Sequence, residues 1–315
     1  MLGDQRTRAF NMLRAARALV KYAARSKKGK FSSMLELQLE EDGGRMQIER
    51  MEDGMATVSV EVAPWCCGGD GRVTLAALLA MFDEVSTFCG CVPWDGNSRP
   101  GVSLQLSGRS MKVADVGAGD RITLRYSMQK SGKTVSFLHG HAINKQGEEL
   151  AYLRHVKFMP MGLLFDVFGR KSIRHHTLNY FERYVDSMPP NVVPAHASIE
   201  EVFKLSDMEK EGDSKTCEVS LSAEHANPNG FLHGGAAVML SNHLALHGEP
   251  VDPRMHVYSV NSDLLSSIPL RKGVQTKVQM DSSRTSSSPS DFTSHVRLLK
   301  AGRPTSYSLV SWRQF

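Results

Sequence analysis

The amino-acid sequence predicts an α+β fold in which one antiparallel unit occurs twice. In the first half, Met55–Ala63 alternates apolar and polar residues, as half-buried strands do. An apolar helix of about five turns follows within Val73–Cys91, and four strand-like runs separated by glycine-bearing turns then form a meander. The second half repeats this order, with a strand at Lys215–Ala223, a helix at His233–His247 and four further strands.

The two halves align with only short differences in length. Thr74 aligns with His233, an offset of 159 residues, and Gly147 aligns with Gly302, an offset of 155. Repetition of this kind indicates a duplicated structural unit, and a chain of 315 residues is long enough for two domains. We therefore expect domains at 46–160 and 197–315, joined by a glycine- and proline-bearing linker at 161–196 that packs partly on the surface.

Residues 1–45 form a separate basic segment with two open interpretations. Apolar residues recur there at helical spacing, and the first thirty residues hold a single acid, Asp4. The basic residues are Arg6, Arg8, Arg14, Arg17, Lys21, Arg25, Lys27, Lys28 and Lys30. Such a segment is typical of a mitochondrial presequence, which predicts a mitochondrial location, or of a basic helix packed on the first domain of a cytoplasmic protein.

Composition excludes several classes of protein. Hydrophobic residues make up 41% of the chain and charged residues 23%, which excludes a disordered chain. The net charge of +5 is mild, no apolar run is long enough to span a membrane, and we expect neither a nucleic-acid partner nor a membrane span. The five cysteines form an odd set without a disulfide framework, which favours a reducing compartment.

Two groups of residues invite a metal-site interpretation and are weak candidates. His175 and His176 are adjacent, so they point to different sides of a helix, and they lack partners at ligand spacing. Cys66-Cys67 and Cys89-Gly90-Cys91 have spacings poorly suited to a zinc site, and small buried side chains are the better interpretation. We expect no metal and no cofactor.

The most specific motif is Asn227-x-x-Gly230-x-x-His233-Gly234-Gly235, a tight loop that enters the second helix. This loop, together with the strand–helix–meander order, resembles the hotdog fold of the small acyl-CoA thioesterases of the phenylacetate-degradation and thioesterase-superfamily-member type. The resemblance extends from about Met55 to the end of the chain. It implies two fused hotdog domains, each a curved antiparallel sheet wrapped around a central helix.

The resemblance also implies that each half has kept a different part of the site. The family pattern places an acid nine residues after the histidine, where the second half has Asn242 and the first half has Asp83, followed by Glu84. The first half in turn has Thr74-Leu75-Ala76 where the HGG motif would stand. If the family's dimer geometry holds, Asp83 faces the second-half loop in one complete composite site, and the reciprocal site is dead.

In the hydrolysis that this resemblance implies, Asp83 is the base or the nucleophile, and both routes remain open. The backbone N–H of Gly234 or Gly235 holds the oxyanion, because helix N-termini stabilise negative charge. Asn227 orients water or the thioester, and His233 fixes the loop or contacts the pantetheine. Loose candidates for binding the CoA phosphates are Arg271, Lys272 and Lys300.

The site residues also have plainer structural interpretations. An Asp-Glu pair at the end of a helix is commonly an exposed face, a Gly-Gly pair commonly makes a turn, and a lone histidine is commonly buried for structural reasons. The competing function is accordingly a non-catalytic acyl-binding or scaffold subunit of a larger mitochondrial assembly. The expected partner is an acyl-CoA substrate, and pairing of two such chains into a homodimer is left open.

Overall fold

The computed structural model describes residues 2–52, 54–95, 99–159, 171–191, 199–203, 208–211, 214–246, 255–270, 276–288 and 291–314. Its strands form one twelve-stranded sheet in the order β1-β2-β4-β5-β6-β3-β9-β12-β11-β10-β8-β7, and every neighbouring pair is antiparallel. The first domain contributes β1 to β6 and the second contributes β7 to β12. The predicted α+β class is confirmed.

The strands are β1 Met46–Glu52, β2 Met55–Glu61, β3 Val102–Ser110, β4 Arg121–Ser131, β5 Val135–Ile143, β6 Glu149–Phe158, β7 Glu209–Glu211, β8 Ser214–Leu221, β9 Met255–Leu264, β10 Thr276–Ser288, β11 Asp291–Lys300 and β12 Arg303–Gln314. The helices are α1 Leu2–Arg25, α2 Phe31–Met34, α3 Leu75–Val85, α4 Val92–Trp94, α5 Lys171–Ser187, α6 Ile199–Val202 and α7 Gly234–Leu246. A π-helical segment, Ser86–Cys91, continues α3.

Two central helices, α3 and α7, pack against each other between the domains. Every residue of α3 is buried, because an alanine- and leucine-rich helix without a polar face can only be satisfied inside a core. The domains are joined directly where β3 pairs with β9, from Gln105 opposite Asp263 to Arg109 opposite Ser259. This arrangement brings the end of α3 close to the start of α7.

The duplication extends to single backbone and side-chain contacts. The isolated bridge between Cys67 and Val73 recurs between Ala226 and Leu232, both at the offset of 159 residues. Further along, His139 Nδ1 bonds the Tyr152 hydroxyl at 3.1 Å, and the matching pair in the second domain is His295 with Tyr307 at 2.5 Å. The two halves therefore fold through the same local geometry.

The basic helix α1 is part of the folded core. Its Met12, Ala16, Val20 and Ala23 are buried in the same cluster as the two central helices. The cations on its other face are paired with acids of later elements: Arg14 with Glu182, Arg17 with Glu41, Lys21 with Asp42 and Asp186, and Arg25 with Asp42. The interpretation as a helix packed on the first domain thus describes the folded chain.

The predicted linker contains α5, which packs on α1 through the ring contact between Phe181 and Tyr22 at 5.8 Å. Residues 161–170 and 192–196 of this segment and the side chains of His175 and His176 lie outside the described residues. Four of the free cysteines, Cys66, Cys89, Cys91 and Cys217, are buried, and Cys67 is half-buried. In the described part of the chain, no helix has the length and apolar character needed to cross a bilayer.

Candidate active site

Asp83 lies near the end of α3, at the interface with the second domain, and is only 3% exposed. Helix α3 begins at a cap in which the Thr74 hydroxyl accepts a hydrogen bond from the Ala77 N–H at 3.1 Å. Two turns later the apolar helix carries Asp83 and Glu84 side by side. The interpretation of this pair as an exposed face is wrong, because the packing of α3 against α7 buries both residues.

Both carboxylate oxygens of Asp83 have polar neighbours. Oδ2 accepts a hydrogen bond from the Gly235 backbone N–H at 2.9 Å and lies 3.2 Å from His233 Nδ1. Oδ1 accepts a hydrogen bond from the Ser103 hydroxyl at 2.9 Å and lies 3.3 Å from His155 Nε2. The structure therefore brings Asp83 of the first domain together with His233 and Gly235 of the second.

The surroundings of Asp83 stabilise its charged form. Burial by itself raises the pKa of this carboxyl group, but His233, His155 and Lys157, together with the Ser103 hydrogen bond, lower the pKa to about 2. Burial also lowers the pKa of His155 to about 3, so that its ring is uncharged at neutral pH. Asp83 is therefore an ionised carboxylate in an almost dry environment.

His233 immediately precedes α7, and its ring lies between two carboxylates. Its Nε2 is 2.8 Å from Glu84 Oε2, and its ring packs on Phe31 with a centroid distance of 4.8 Å. Burial lowers the pKa of His233, but Asp83 and Glu84 outweigh this and raise it. The Gly235 N–H lies 2.9 Å from Asp83 Oδ2 and 3.0 Å from His233 Nδ1, so it joins the carboxylate to the histidine ring.

Asn227 holds the loop that leads into α7. Its side-chain oxygen accepts hydrogen bonds from the backbone N–H of Asn229 at 2.9 Å and of Phe231 at 3.2 Å, which is an Asx turn. Gly230 closes this turn with φ +83°, a conformation that favours glycine. Among the described residues nothing bonds the side-chain nitrogen of Asn227, so this N–H₂ group remains available to a ligand.

A cavity of about 950 Å³ opens next to these residues. Its polar wall is formed by Asp83, Glu84, Thr87, Ser103, Lys157, Asn227, His233 and Gly234. Its apolar wall includes Leu19 and Tyr22 of α1, Phe181 of α5, and Phe88, Val92, Leu104, Phe158, Leu232, Leu264 and Ile268. In the described part of the chain, the Gly234 backbone N–H has no hydrogen-bond partner. This donor lines the cavity beside the Asp83 carboxylate.

The sequence analysis missed three polar residues of this site: Ser103 on β3 and Lys157 on β6, which line the cavity, and His155 on β6, which lies behind Ser103 and Asp83. All three are polar residues on strands, and His155 and Lys157 occupy inward positions of β6 that alternate with more exposed ones. The available signal was that His155 and Lys157 continue the series of alternate positions that begins with the apolar Ala151 and Leu153. Arg271 and Lys272 lie outside the described residues, and Lys300 is not part of the cavity wall.

The reciprocal position lacks this set of charged groups. Asn242 takes the place of Asp83, and its buried side-chain oxygen has no hydrogen-bond partner in the structure. The matching burial patterns of β6 and β12 at the offset of 155 residues place Val310 where the working half has His155, and Trp312 where it has Lys157. In the first domain, the position of the histidine and the two glycines is taken by Thr74, Leu75 and Ala76.

Comparisons with known proteins add to this geometry. No protein-family model and no curated protein matches the sequence. Among solved structures, an acyl-ACP thioesterase from Bacteroides thetaiotaomicron is 11% identical, with 84% of this chain and 100% of that chain covered and a TM-score of 0.54. A protein from Novosphingobium aromaticivorans, assigned as a thioesterase, is 12% identical, with 85% and 98% covered and a TM-score of 0.55.

A third similar structure is the PaaI protein from the phenylacetic acid degradation operon of E. coli, at 19% identity, with 37% of this chain and 80% of that chain covered and a TM-score of 0.33. The first two structures match this chain over nearly its whole length. The chain therefore has the double-hotdog fold of these thioesterases, as the sequence predicts.

Proposed function

We propose that this protein hydrolyses acyl-CoA thioesters at a single composite site between its two domains. The observation that carries the proposal is the approach of an ionised first-domain carboxylate, Asp83, to the start of a second-domain helix, with a 2.9 Å hydrogen bond to the Gly235 N–H beside a large cavity. Thioester hydrolysis needs a base or nucleophile together with an oxyanion donor. In this proposal, Asp83 is the base or nucleophile and the start of α7 supplies the oxyanion donor, and the two lie side by side in the cavity wall.

The two glycines have different roles in this proposal. The Gly235 N–H holds Asp83, while the Gly234 N–H is left for the thioester oxygen. The positive end of the α7 dipole supports negative charge at this position. Neither residue has a side chain, and this allows the carboxylate and the substrate to approach the helix closely.

The reaction then follows from the positions of the charged groups. Asp83 takes a proton from water, which attacks the carbonyl carbon, or it attacks that carbon directly. The developing oxyanion is held by the Gly234 N–H, with the Asn227 side-chain nitrogen as a second donor. The carbon–sulfur bond then breaks and the thiolate leaves. On the first route it takes the proton from Asp83 and departs as CoA, and the carboxylic acid is released; on the second, the acyl group stays on Asp83 as an anhydride, which water then hydrolyses to the acid and the free carboxylate.

Three residues, Ser103, His155 and His233, position Asp83 without contacting the reacting atoms. The Ser103 hydroxyl donates to Oδ1 at 2.9 Å and at the same time accepts from His155 Nε2 at 2.9 Å. This chain of hydrogen bonds fixes the carboxylate in one orientation. His233, whose pKa Asp83 and Glu84 raise against the effect of burial, lies 3.2 Å from Oδ2 on the other side, so the carboxylate keeps its geometry in the absence of substrate.

A second candidate function is acyl binding without catalysis. The observation that favours it is the saturation of Asp83: both oxygens already accept hydrogen bonds, and the residue is 3% exposed. A carboxylate that serves only to join the two domains would look the same. The two functions therefore have to be separated by activity.

The deciding experiment is a panel of acyl-CoAs, from short to long and aromatic, with the released thiol followed over time. In the hydrolase, the variant Asp83→Asn loses about 10²-fold or more in kcat, in line with the contribution of a positioned base. The matched control is Asn242→Gln at the equivalent position of the second domain, which keeps its activity. A folded wild type that hydrolyses none of the panel rejects the proposal and leaves acyl binding.

A further inference from the structure

Lys157 is a buried cation that the hydrolysis of a plain acyl chain does not use. It is 2% exposed and belongs to the cavity wall. Its ammonium group donates one hydrogen bond, to the Thr87 hydroxyl at 2.7 Å. Among the described residues, no carboxylate oxygen lies within the 4.0 Å that defines an ion pair with this group. A lysine has three N–H donors, so two of them remain for a ligand.

The backbone around Lys157 is shaped to hold its side chain. Gly101 has φ +66°, and a Cβ at this position would lie 2.9 Å from the Lys157 Cε. Any side chain at 101 would therefore displace the lysine stem or strain the backbone. Burying an ammonium group without an opposite charge is costly, so a lysine in such a place needs a compensating interaction.

Thr87, which accepts the hydrogen bond from the ammonium group, lies one helical turn after Asp83. The Thr87 hydroxyl that accepts from Lys157 also donates to the backbone oxygen of Asp83 at 2.6 Å. Residues four apart on a helix are separated by roughly 6 Å of rise. An acyl group whose thioester carbon sits at Asp83 therefore reaches Lys157 after a few carbon atoms.

From this geometry we propose that Lys157 selects acyl-CoAs that carry a second carboxylate a few carbons from the thioester. Such a carboxylate accepts the two remaining N–H donors in direct charge-assisted hydrogen bonds, which are strong. The rest of the cavity contacts the methylene groups. The inference rests on the proposed hydrolysis and names its substrate class: short dicarboxylic acyl thioesters, such as succinyl, glutaryl and adipoyl groups.

Comparison of the two domains supports a special role for Lys157 in the half that carries Asp83. The position equivalent to Lys157 in the second domain is Trp312, which is 2% exposed and stacks on Phe292 with a centroid distance of 5.3 Å. The fold therefore does not require a lysine at this position of the sheet, because a large, mostly apolar side chain occupies the equivalent position. The lysine stands only on the side where the carboxylate and the glycine loop meet.

A plainer role for Lys157 is to balance the charges of the site. Lys157 is one of the groups that lower the pKa of Asp83 against the effect of burial, so a cation at this place supports the charged form of that carboxylate. In that case the lysine acts on every substrate alike, through the charge of Asp83. A role in selection changes the ratio between substrates instead, and this difference can be measured.

The test compares succinyl-, glutaryl- and adipoyl-CoA with butyryl-, valeryl- and hexanoyl-CoA, their matched monocarboxylic partners. We expect the wild type to prefer at least one dicarboxylic member of a pair by tenfold or more in kcat/KM, and Lys157→Met to lower that ratio at least tenfold. The control is Lys130→Met, an exposed lysine on β4 whose loss leaves the ratio as it is. Equal losses in both series, or an unchanged ratio, overturn the inference.

A binding measurement separates this inference from the proposed hydrolysis. Calorimetric titration of glutaryl-CoA and valeryl-CoA into Asp83→Asn, with and without Lys157→Met, reports recognition where turnover is blocked. Tighter binding of glutaryl-CoA that is lost with Lys157 supports the inference even if the wild type hydrolyses neither. Equal affinities for the two thioesters reject it even in an active hydrolase.

Discussion

His233 Nε2 of the second domain lies 2.8 Å from Glu84 Oε2 of the first, and the same ring lies 3.2 Å from Asp83 Oδ2. One buried imidazole thus bridges two adjacent carboxylates across the domain interface. Each carboxylate would be costly to bury alone, and the shared cation offsets that cost. The orientation of Asp83 therefore depends on both domains, although the residue belongs only to the first.

This bridge predicts a pH-dependent contribution of His233 to stability. The pKa of His233 is raised in the folded protein, so its contribution is fully present below the ordinary value of 6.5 and is lost as the pH rises through the folded pKa. In urea unfolding, His233→Gln is expected to cost more free energy at pH 6 than at pH 9. An equal cost at both pH values contradicts a protonated bridge.

Asp83 predicts the opposite dependence on the acidic side. Its pKa falls from 3.8 to about 2 on folding, so its contribution is present above 3.8 and is lost as the pH falls through about 2. At 1.36 kcal/mol per pKa unit, this contribution is about 2 kcal/mol. The stability gap between the wild type and Asp83→Asn should narrow by about that amount between pH 5 and pH 2. If the difference in the free energy of unfolding instead widens on acidification, the lowered pKa of Asp83 is contradicted.

The two glycines of the loop predict different effects of the same substitution. A Cβ at Gly235 would lie 2.6 Å from the Cα of Ala80, so Gly235→Ala pushes the central helices apart and costs about 1–3 kcal/mol of stability. A Cβ at Gly234 would lie 2.7 Å from Asp83 Oδ2, so Gly234→Ala displaces the carboxylate. We expect Gly234→Ala to lower kcat strongly and to change the melting temperature less than Gly235→Ala does.

Thermal melts and acyl-CoA turnover on the same two preparations check this difference. Gly235→Ala should show the larger loss in melting temperature. Full activity of Gly234→Ala would contradict the proposal that residue 234 lies beside the reacting carbonyl.

Much of this arrangement could be predicted from the sequence, since its signals are local. The duplication follows from the repeated order of elements, and the pairing of Asp83 with the second-domain loop follows from a motif and a spacing. The contacts of Ser103 and Lys157 could not be predicted in this way, because strand pairing brings them to α3 from distant positions. The serine-rich composition of Ser282–Ser288 suggests a flexible loop, but this stretch is part of β10, because β8 and β11 pair with β10 on its two sides.

The reciprocal position predicts that restoring one residue does not restore a site. Asn242→Asp places a charge where the wild-type side-chain oxygen has no hydrogen-bond partner, which should cost about 3–5 kcal/mol at neutral pH. Burial raises the pKa of such an aspartate, so the cost should shrink as the pH falls. We expect no added turnover from this variant, because Thr74 replaces the histidine there.

Asn242→Leu is the matched variant, since it has a similar size and removes the unsatisfied polar group. Its stability should equal or exceed that of the wild type. Denaturant unfolding of both variants checks the pair. A strongly destabilised Asn242→Leu would mean that the amide has a structural role.

The packing of α1 predicts that removing it damages both the core and the cavity. Deletion of residues 1–25 takes Met12, Val20 and their neighbours out of the central cluster, and Leu19 and Tyr22 out of the cavity wall. Burial of one Met and one Val side chain is worth about 3 kcal/mol or more in total, so the free energy of unfolding should fall by at least that amount.

Deletion of residues 1–9 is the control, because it spares these four side chains. Equal stability of both truncated forms contradicts the structural role of α1.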